Sequence, residues 1–239
     1  MTGSTQTRGP CIYCGREMTR GGLARHLKTC AHRLDAQAAA DKTERKRQPL
    51  YHLQIQDAWG RGDYWLHLEM AGDARLQDLD AYLRAIWLEC CGHLSEFKIG
   101  GVHYTPLVDD GVSYVPERSM NVKVRNLFTP GLTIPYTYDF GTSSELVIKV
   151  VDERRGSPTT DHPICLMARN RYEPPPCIVC GMPATWACSA CLDQRPDGRG
   201  EFCSKHVKAH KEHEDDLYRV VNSPRMGMCG YNGPAEPPY

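Results

Sequence analysis

The sequence lacks any apolar run of the about 20 residues that are needed to cross a lipid bilayer. Its opening residues, Met1–Arg8, also lack the apolar core of a secretory signal peptide. Short enzyme signatures such as the nucleophile elbow, the phosphate-binding loop and the open metal triad are absent as well. We therefore expect a cytoplasmic protein that has no membrane partner and is not an enzyme.

The sequence also has no net charge, because its 29 Lys and Arg balance its 29 Asp and Glu. The balance is uneven along the chain: residues 1–49 contain ten basic and four acidic residues, and residues 50–150 contain eight and thirteen. A basic arm beside an acidic domain is compatible with a polyanionic partner, and equally with a solvated tail.

Cysteine, by contrast, is abundant, with twelve in 239 residues. The last quarter of the chain contains Cys-x2-Cys twice, followed by Cys-x2-His-x3-His-x2-His. A Cys-x2-Cys turn directs two sulfurs to one point, and histidines three or four residues apart share a helix face. A disulfide framework would leave the histidines unexplained. The sequence thus predicts four ligand pairs for two tetrahedral zinc ions: Cys177 and Cys180, Cys188 and Cys191, Cys203 and His206, and His210 and His213.

These pairs can combine in two ways. In the sequential arrangement the first two pairs bind one zinc and the last two bind the other. In the interleaved arrangement, which we favour, the first and third pairs share one zinc, and the second and fourth pairs share the other. A segment with so few apolar residues needs such long-range links to offset its chain entropy. The segment resembles the cross-braced B-box and MYND zinc modules, through Glu201–His206 for MYND and through its run of histidines for the B-box.

A third zinc is predicted near the N-terminus, where Cys11 and Cys14 are followed by His26 and Cys30, with His32 as an alternative to Cys30. Residues 22–30 are expected to form a short helix. Its basic side chains could contact nucleic acid, although a lone finger supports nonspecific phosphate contact rather than sequence recognition. The candidate nucleic-acid-binding residues are Arg16, Arg20, Arg25, Lys28 and Arg33.

The central region predicts an α+β fold, with a mostly antiparallel sheet and one main helix. Apolar and polar residues alternate over Leu50–Asp57 and again over Tyr64–Met70, which indicates strands joined by a turn at 59–62. Further strands are expected at about 120–125, 134–140 and 145–151. Helical spacing runs from Leu76 to Cys90, and it places Asp80 and Arg84 on the exposed side of the helix.

This region resembles the Ri-plasmid open-reading-frame-three-like family, which includes passenger proteins of insertion sequences. The resemblance covers about residues 50–170 and rests on the segments Tyr51–Ile55, Leu79–Leu83, Gly92–Tyr104 and Tyr136–Gly141. It implies an α/β roll and an association with mobile elements, and it implies no particular activity.

The expected domains are a zinc finger at 1–34, a basic linker at 35–49, the roll at 50–171, a Pro-rich spacer at 172–176, and the two-zinc module with its Gly/Pro-rich tail at 177–239. With three closed zinc sites, the sequence favours a non-enzymatic adaptor for protein partners. One alternative is a DNA-binding accessory protein of a mobile element that acts through the finger and the linker. The other is an enzyme with its site around His93, Glu96 and Asp139.

Overall fold

The computed structural model describes residues 6–59, 63–107 and 115–239. The chain forms two compact units. Unit 1 contains the described residues up to Leu83, His93–Arg171 and Tyr239, and unit 2 contains Arg84–Gly92 and Tyr172–Pro238. No helix in the described part of the chain has the length and apolar character of a membrane span. The turn expected at 59–62 lies mostly outside the described residues.

Unit 1 is dominated by strands, which confirms the mixed α+β class. Its elements in chain order are β1 (Arg8–Pro10), β2 (Glu17–Thr19), α1 (Arg20–Thr29), α2 (Ala31–Ala40), β3 (Gln48–Asp57), β4 (Trp65–Ala71), α3 (Leu76–Leu83), β5 (Ser95–Ile99), β6 (Val102–Thr105), β7 (Glu117–Ser119), β8 (Thr133–Tyr138), β9 (Ser144–Gly156) and β10 (Ile164–Arg169).

Eight of these strands form one sheet in the order β10-β4-β3-β9-β8-β5-β6-β7, in which only β6 and β7 run parallel. The alternation seen in the sequence places Leu53 opposite Leu68 and Ile55 opposite Leu66, all four fully buried. The strand expected at 120–125 is wrong, since a 3-10 helix occupies Val124–Asn126. The Leu127 amide donates to the Val124 carbonyl at 3.0 Å, which is the i to i+3 hydrogen bond of a 3-10 turn.

Helix α3 ends at Leu83, and a π-helical turn at Arg84–Leu88 follows it. The expectation that Asp80 lies on the exposed face is also wrong. Its carboxylate is buried and accepts hydrogen bonds from the Ser95 hydroxyl at 2.6 Å and the Tyr136 hydroxyl at 2.8 Å. Two hydroxyl donors satisfy the carboxylate away from water, so Asp80 fixes α3 to β5 and β8.

The N-terminal finger belongs to unit 1 and packs against the sheet, instead of forming a separate unit at 1–34. Leu23 and Leu27 of α1 share a buried cluster with Trp65 and Met167. The backbone contributes as well, because the Ile12 amide donates to the Met167 carbonyl at 3.0 Å. Gly9 allows this close approach, since a Cβ there would overlap the carbonyl of Arg169.

The expected basic linker at 35–49 is structured at both ends, by α2 and β3, and an ion network that begins just before it, at Arg33, joins α2 to the sheet. Arg33 of α2 donates to Glu69 of β4 at 2.8 Å. Arg154 of β9 donates to both oxygens of the same carboxylate, at 2.9 and 2.7 Å. Only 4% of Glu69 is exposed, so its two charge partners compensate its removal from water.

Two buried histidines lie next to this network. His52 Nε2 is 2.8 Å from His67 Nδ1, and His67 Nε2 is 3.1 Å from the Arg20 carbonyl oxygen. Burial lowers the pKa of His52 to about 2 and that of His67 to about 4. Both rings are therefore neutral at neutral pH, which allows one ring to donate to the other and His67 to donate to Arg20.

Unit 2 contains far less regular structure. It has β11 (Trp186–Cys188), α4 (Ser189–Gln194), β12 (Glu201–Phe202) and β13 (Leu217–Arg219), with the strands in the order β12-β11-β13. Cys188, Cys191 and Phe202 form its buried cluster, against which Ile178, Val207 and Leu217 pack in part. The expected spacer at 172–176 is part of this unit.

We predict that Glu69→Gln lowers the free energy of unfolding of unit 1 by about 3 kcal/mol, because it leaves the buried Arg33 guanidinium and the partly buried Arg154 guanidinium without their counter-charge. The matched control is Asp152→Asn, which breaks the half-exposed Lys28–Asp152 pair of 3.0 Å and should cost less than about 1 kcal/mol. Urea titration of the zinc-saturated chain, followed by circular dichroism, measures both values. Equal effects of the two substitutions would contradict a structural role for the buried network.

Candidate metal centres

The N-terminal centre combines the β1–β2 turn with the end of α1. The Cys11 carbonyl accepts from the Gly15 amide at 2.8 Å, and this tight turn directs Cys11 and Cys14 to the same side. Helix α1, capped by the Thr19 hydroxyl on the Gly22 amide, supplies His26 and ends at Cys30. The ligand atoms of the four residues lie within 4.8 Å of one another, with Cys14 Sγ 3.2 Å from His26 Nε2. His32, the alternative to Cys30, is exposed and lies outside this group.

The first C-terminal centre brings together Cys177, Cys180, Cys203 and His206. Hydrogen bonds from Cys177 N to Met182 O at 2.7 Å and from Gly181 N to Cys177 O at 2.9 Å close the first turn. His206 Nδ1 lies 3.5 Å from Cys177 Sγ and 3.4 Å from Cys203 Sγ, and the Cys180 and Cys203 sulfurs are 3.8 Å apart.

The second C-terminal centre brings together Cys188, Cys191, His210 and His213. Cys188 is the last residue of β11, and Cys191 lies in α4. Cys191 Sγ is 3.6 Å from His210 Nε2 and 3.8 Å from His213 Nδ1. The His210 ring stacks on Phe202 at 4.6 Å between centroids, which fixes its orientation. The grouping in both C-terminal centres is the interleaved one.

The spacing between the ligand atoms fits a tetrahedral metal site. With Zn–S bonds of about 2.3 Å and Zn–N bonds of about 2.0–2.1 Å, the edges of a tetrahedron are about 3.8 Å between sulfurs and about 3.6 Å between sulfur and nitrogen. The distances in the three centres lie between 3.2 and 3.8 Å. Each centre offers four candidate ligand atoms within 4.8 Å of one another, which would leave a bound ion no position for water or substrate.

A fourth group of cysteines was missed by the sequence analysis. Cys91 Sγ lies 3.7 Å from Cys90 Sγ and 3.8 Å from Cys229 Sγ, all within unit 2. The sequence signals are the adjacent pair Cys90 and Cys91 and the single Cys229. No ligand-spacing rule joins residues 138 positions apart.

The candidate nucleic-acid residues do not form one exposed surface. Arg16, Arg25 and Lys28 are exposed, but Lys28 pairs with Asp152. Arg20 is half-buried, and burial lowers the pKa of its guanidinium. Arg33 does not fit the expectation, because it is buried in its ion pair with Glu69 and cannot reach a phosphate.

The candidate catalytic residues form two separate pairs, both in unit 1. His93 Nε2 is 3.4 Å from Asp139 Oδ2, whereas Glu96 pairs with His103 at 2.8 Å and with Lys98 at 2.9 Å. Asp139 also accepts from the Gly141 amide at 2.9 Å, and it has a left-handed φ of 64°. Glu96 therefore does not join His93 and Asp139 in a common ion pair.

Comparison with known proteins identifies the central region. The family model of the plasmid pRiA4b ORF-3-like proteins matches residues 50–212, more than half of the chain. Among solved structures, a protein of unknown function from Methanosarcina mazei Go1 is similar, with 19% identity and a TM-score of 0.42. That similarity covers 48% of this chain and 66% of the other, slightly under two thirds of its length. No curated protein matches the sequence. The B-box or MYND type of the C-terminal module stays a prediction.

We predict that Cys203→Ser reduces metal binding at both C-terminal centres. The substitution removes a ligand from the first centre, and it loosens the segment that delivers His210 and His213 to the second. Native mass spectrometry of the full chain gives the number of ions bound, and emission from Trp186, next to the module's ligands in β11, reports its packing. The matched control is Ser204→Ala, at an exposed neighbouring position. Loss of only one ion, with unchanged Trp186 emission, would contradict the interleaved grouping.

Proposed function

The chain belongs to the plasmid pRiA4b ORF-3-like family, and we propose that it is a non-enzymatic adaptor that binds three structural zinc ions. In this proposal the central sheet is an α/β roll, and unit 2 presents the surface for a protein partner. The plasmid origin in the family name supports an association with mobile elements.

The observation that carries the proposal is the complete ligand set at each centre. A catalytic zinc keeps an open position for water or substrate, whereas a structural zinc is enclosed by four protein ligands. The N-terminal and first C-terminal centres each offer three cysteines and one histidine, and the second C-terminal centre offers two of each. Thiolate and imidazole at tetrahedral spacing suit zinc.

The small core of residues 177–213 supports the same role. Apart from cysteines, its buried apolar side chains are Ala184, Ala187 and Phe202. Apolar burial of this extent offsets little of the entropy lost on folding. Structural zinc in comparable small modules contributes an apparent binding free energy of about 10–16 kcal/mol, which is then available for folding.

The proposed partner surface lies at the turn formed by residues 177–182 of unit 2. Val179 is 61% exposed and Met182 is 62% exposed. Val179 lies between two ligands of the first C-terminal centre, and the Met182 carbonyl accepts from the Cys177 amide. Two large apolar side chains on a backbone fixed by metal and hydrogen bonds form a preorganised contact for an apolar pocket of another protein.

The two alternatives are weaker. A DNA-binding role through the finger would depend on Arg16, Arg25 and Lys28, since Arg33 is buried, and three phosphate contacts support little affinity at physiological salt. In the basic linker, Arg45, Lys46 and Arg47 are already paired with Asp161, Asp73 and Asp41. An enzymatic role would depend on His93 and Asp139. The Asp139 carboxylate also accepts a hydrogen bond from the Gly141 amide, which is a structural role.

We predict that Val179→Asp combined with Met182→Asp abolishes partner binding and leaves the zinc content unchanged, because both side chains are exposed and neither is a ligand. The chain is used as bait in host-cell extract, and captured proteins are quantified by mass spectrometry. The matched control is Leu107→Asp in unit 1, where the leucine is 74% exposed.

The proposal predicts that some proteins are captured by both the wild type and the Leu107→Asp variant. The same proteins should not be captured by the double variant. Equal capture by all three baits, or by none of them, would remove the proposed surface.

A further inference from the structure

Three cysteines outside the centres described so far share one location in unit 2. Cys91 Sγ is within 3.7 Å of Cys90 Sγ and 3.8 Å of Cys229 Sγ. These values equal the sulfur–sulfur edge of about 3.8 Å in a tetrahedral zinc site. Three thiols that belong to different parts of the chain thus have the spacing of three ligands around one ion.

The backbone around these cysteines is held in place by hydrogen bonds. The Ser223 hydroxyl donates to the Trp87 carbonyl at 2.6 Å and accepts from the Arg225 amide at 2.9 Å. Ser223 and Arg225 are fully buried. The tail is therefore fixed to the 84–92 segment a few residues before Cys229, which reduces the entropy lost on bringing the third sulfur to the other two.

Cys229 has a backbone conformation whose steric cost must be offset by other interactions. Its φ is 48°, in the left-handed region, where a residue with a side chain is disfavoured. Gly227 and Gly230, which flank Cys229, also have positive φ. Glycine adopts this conformation without steric strain, so the loop around Cys229 forms at little energetic cost. Non-glycine residues held in a left-handed conformation occur preferentially at functional positions. Cys229, whose thiol can bind a metal, fits that preference.

The charge around the sulfurs also suits a metal. The buried Arg225 guanidinium donates through one terminal nitrogen to Cys90 Sγ at 3.4 Å. Three thiolates around a divalent ion leave a net negative charge, which a neighbouring guanidinium compensates. A neutral thiol would offer this guanidinium a weaker acceptor.

We propose that Cys90, Cys91 and Cys229 bind a fourth zinc ion, which joins the C-terminal tail to the 84–92 segment. The site is independent of the adaptor role, and it makes the tail an integral part of unit 2. The competing chemistry for the same sulfurs is a disulfide between two of them.

The test compares the zinc content of the full wild-type chain with that of Cys229→Ser, both purified with zinc under reducing conditions. Native mass spectrometry is expected to show one zinc fewer in the variant, and Cys90→Ser should give the same loss. The matched control is Cys165→Ser, which changes the one cysteine outside the four groups and should leave the content unchanged. Limited proteolysis is expected to cleave within residues 222–239 in Cys229→Ser but not in Cys165→Ser.

Equal zinc content in the wild type and Cys229→Ser would overturn the proposal. So would a loss in Cys229→Ser that Cys90→Ser does not reproduce. A wild-type mass lower by about two hydrogens, with no zinc lost on substitution, would assign the sulfurs to a disulfide instead. Because the readout is a difference of one ion between two chains, it does not depend on occupancy of the other three centres, so it fails separately from the proposed function.

Discussion

We propose that unit 2 depends on metal–ligand bonds that join segments distant in sequence. In unit 2 each C-terminal centre takes two ligands from before residue 192 and two from after residue 202, so neither can be completed without the segment that serves the other. Within residues 177–213 the buried apolar side chains, apart from cysteines, are Ala184, Ala187 and Phe202, which offset little chain entropy. The finger of unit 1 differs, because its helix also packs against Trp65 and Met167 of the sheet. We therefore propose that metal binding determines the fold of this part of unit 2, whereas in unit 1 it completes a fold already supported by packing.

This dependence links the metal directly to the proposed function. Val179 is exposed because it lies in the turn between two ligands of the first C-terminal centre, and Met182 follows in the same turn. The proposed contact surface therefore exists only while that turn is closed. Enclosed zinc ions suit such a role, since four protein ligands leave an ion stable and chemically inert. Membership of the plasmid pRiA4b ORF-3-like family identifies the central domain but names no activity.

Local patterns made most of the fold and the centres predictable. A Cys-x2-Cys turn or a His-x3-His step is a short-range constraint, and so is the alternation that marks β3 and β4. Features that depend on distant partners were not predictable. Arg33 looked like an exposed finger residue, because its partner Glu69 is 36 positions away. Asp80 looked solvent-exposed, because its donor Tyr136 lies on a later strand. Cys229 matched no ligand spacing in the sequence, because its neighbour Cys91 is 138 positions away.

The central claim is that three zinc ions are each enclosed by four protein ligands, two of them in interleaved sets. A crystal structure with anomalous data collected on both sides of the zinc absorption edge tests it most directly. The account predicts zinc peaks at the centres of three groups, Cys11–Cys14–His26–Cys30, Cys177–Cys180–Cys203–His206 and Cys188–Cys191–His210–His213. A missing peak, a water molecule in any of the three coordination spheres, or a zinc bound by the four cysteines at 177–191 would contradict it.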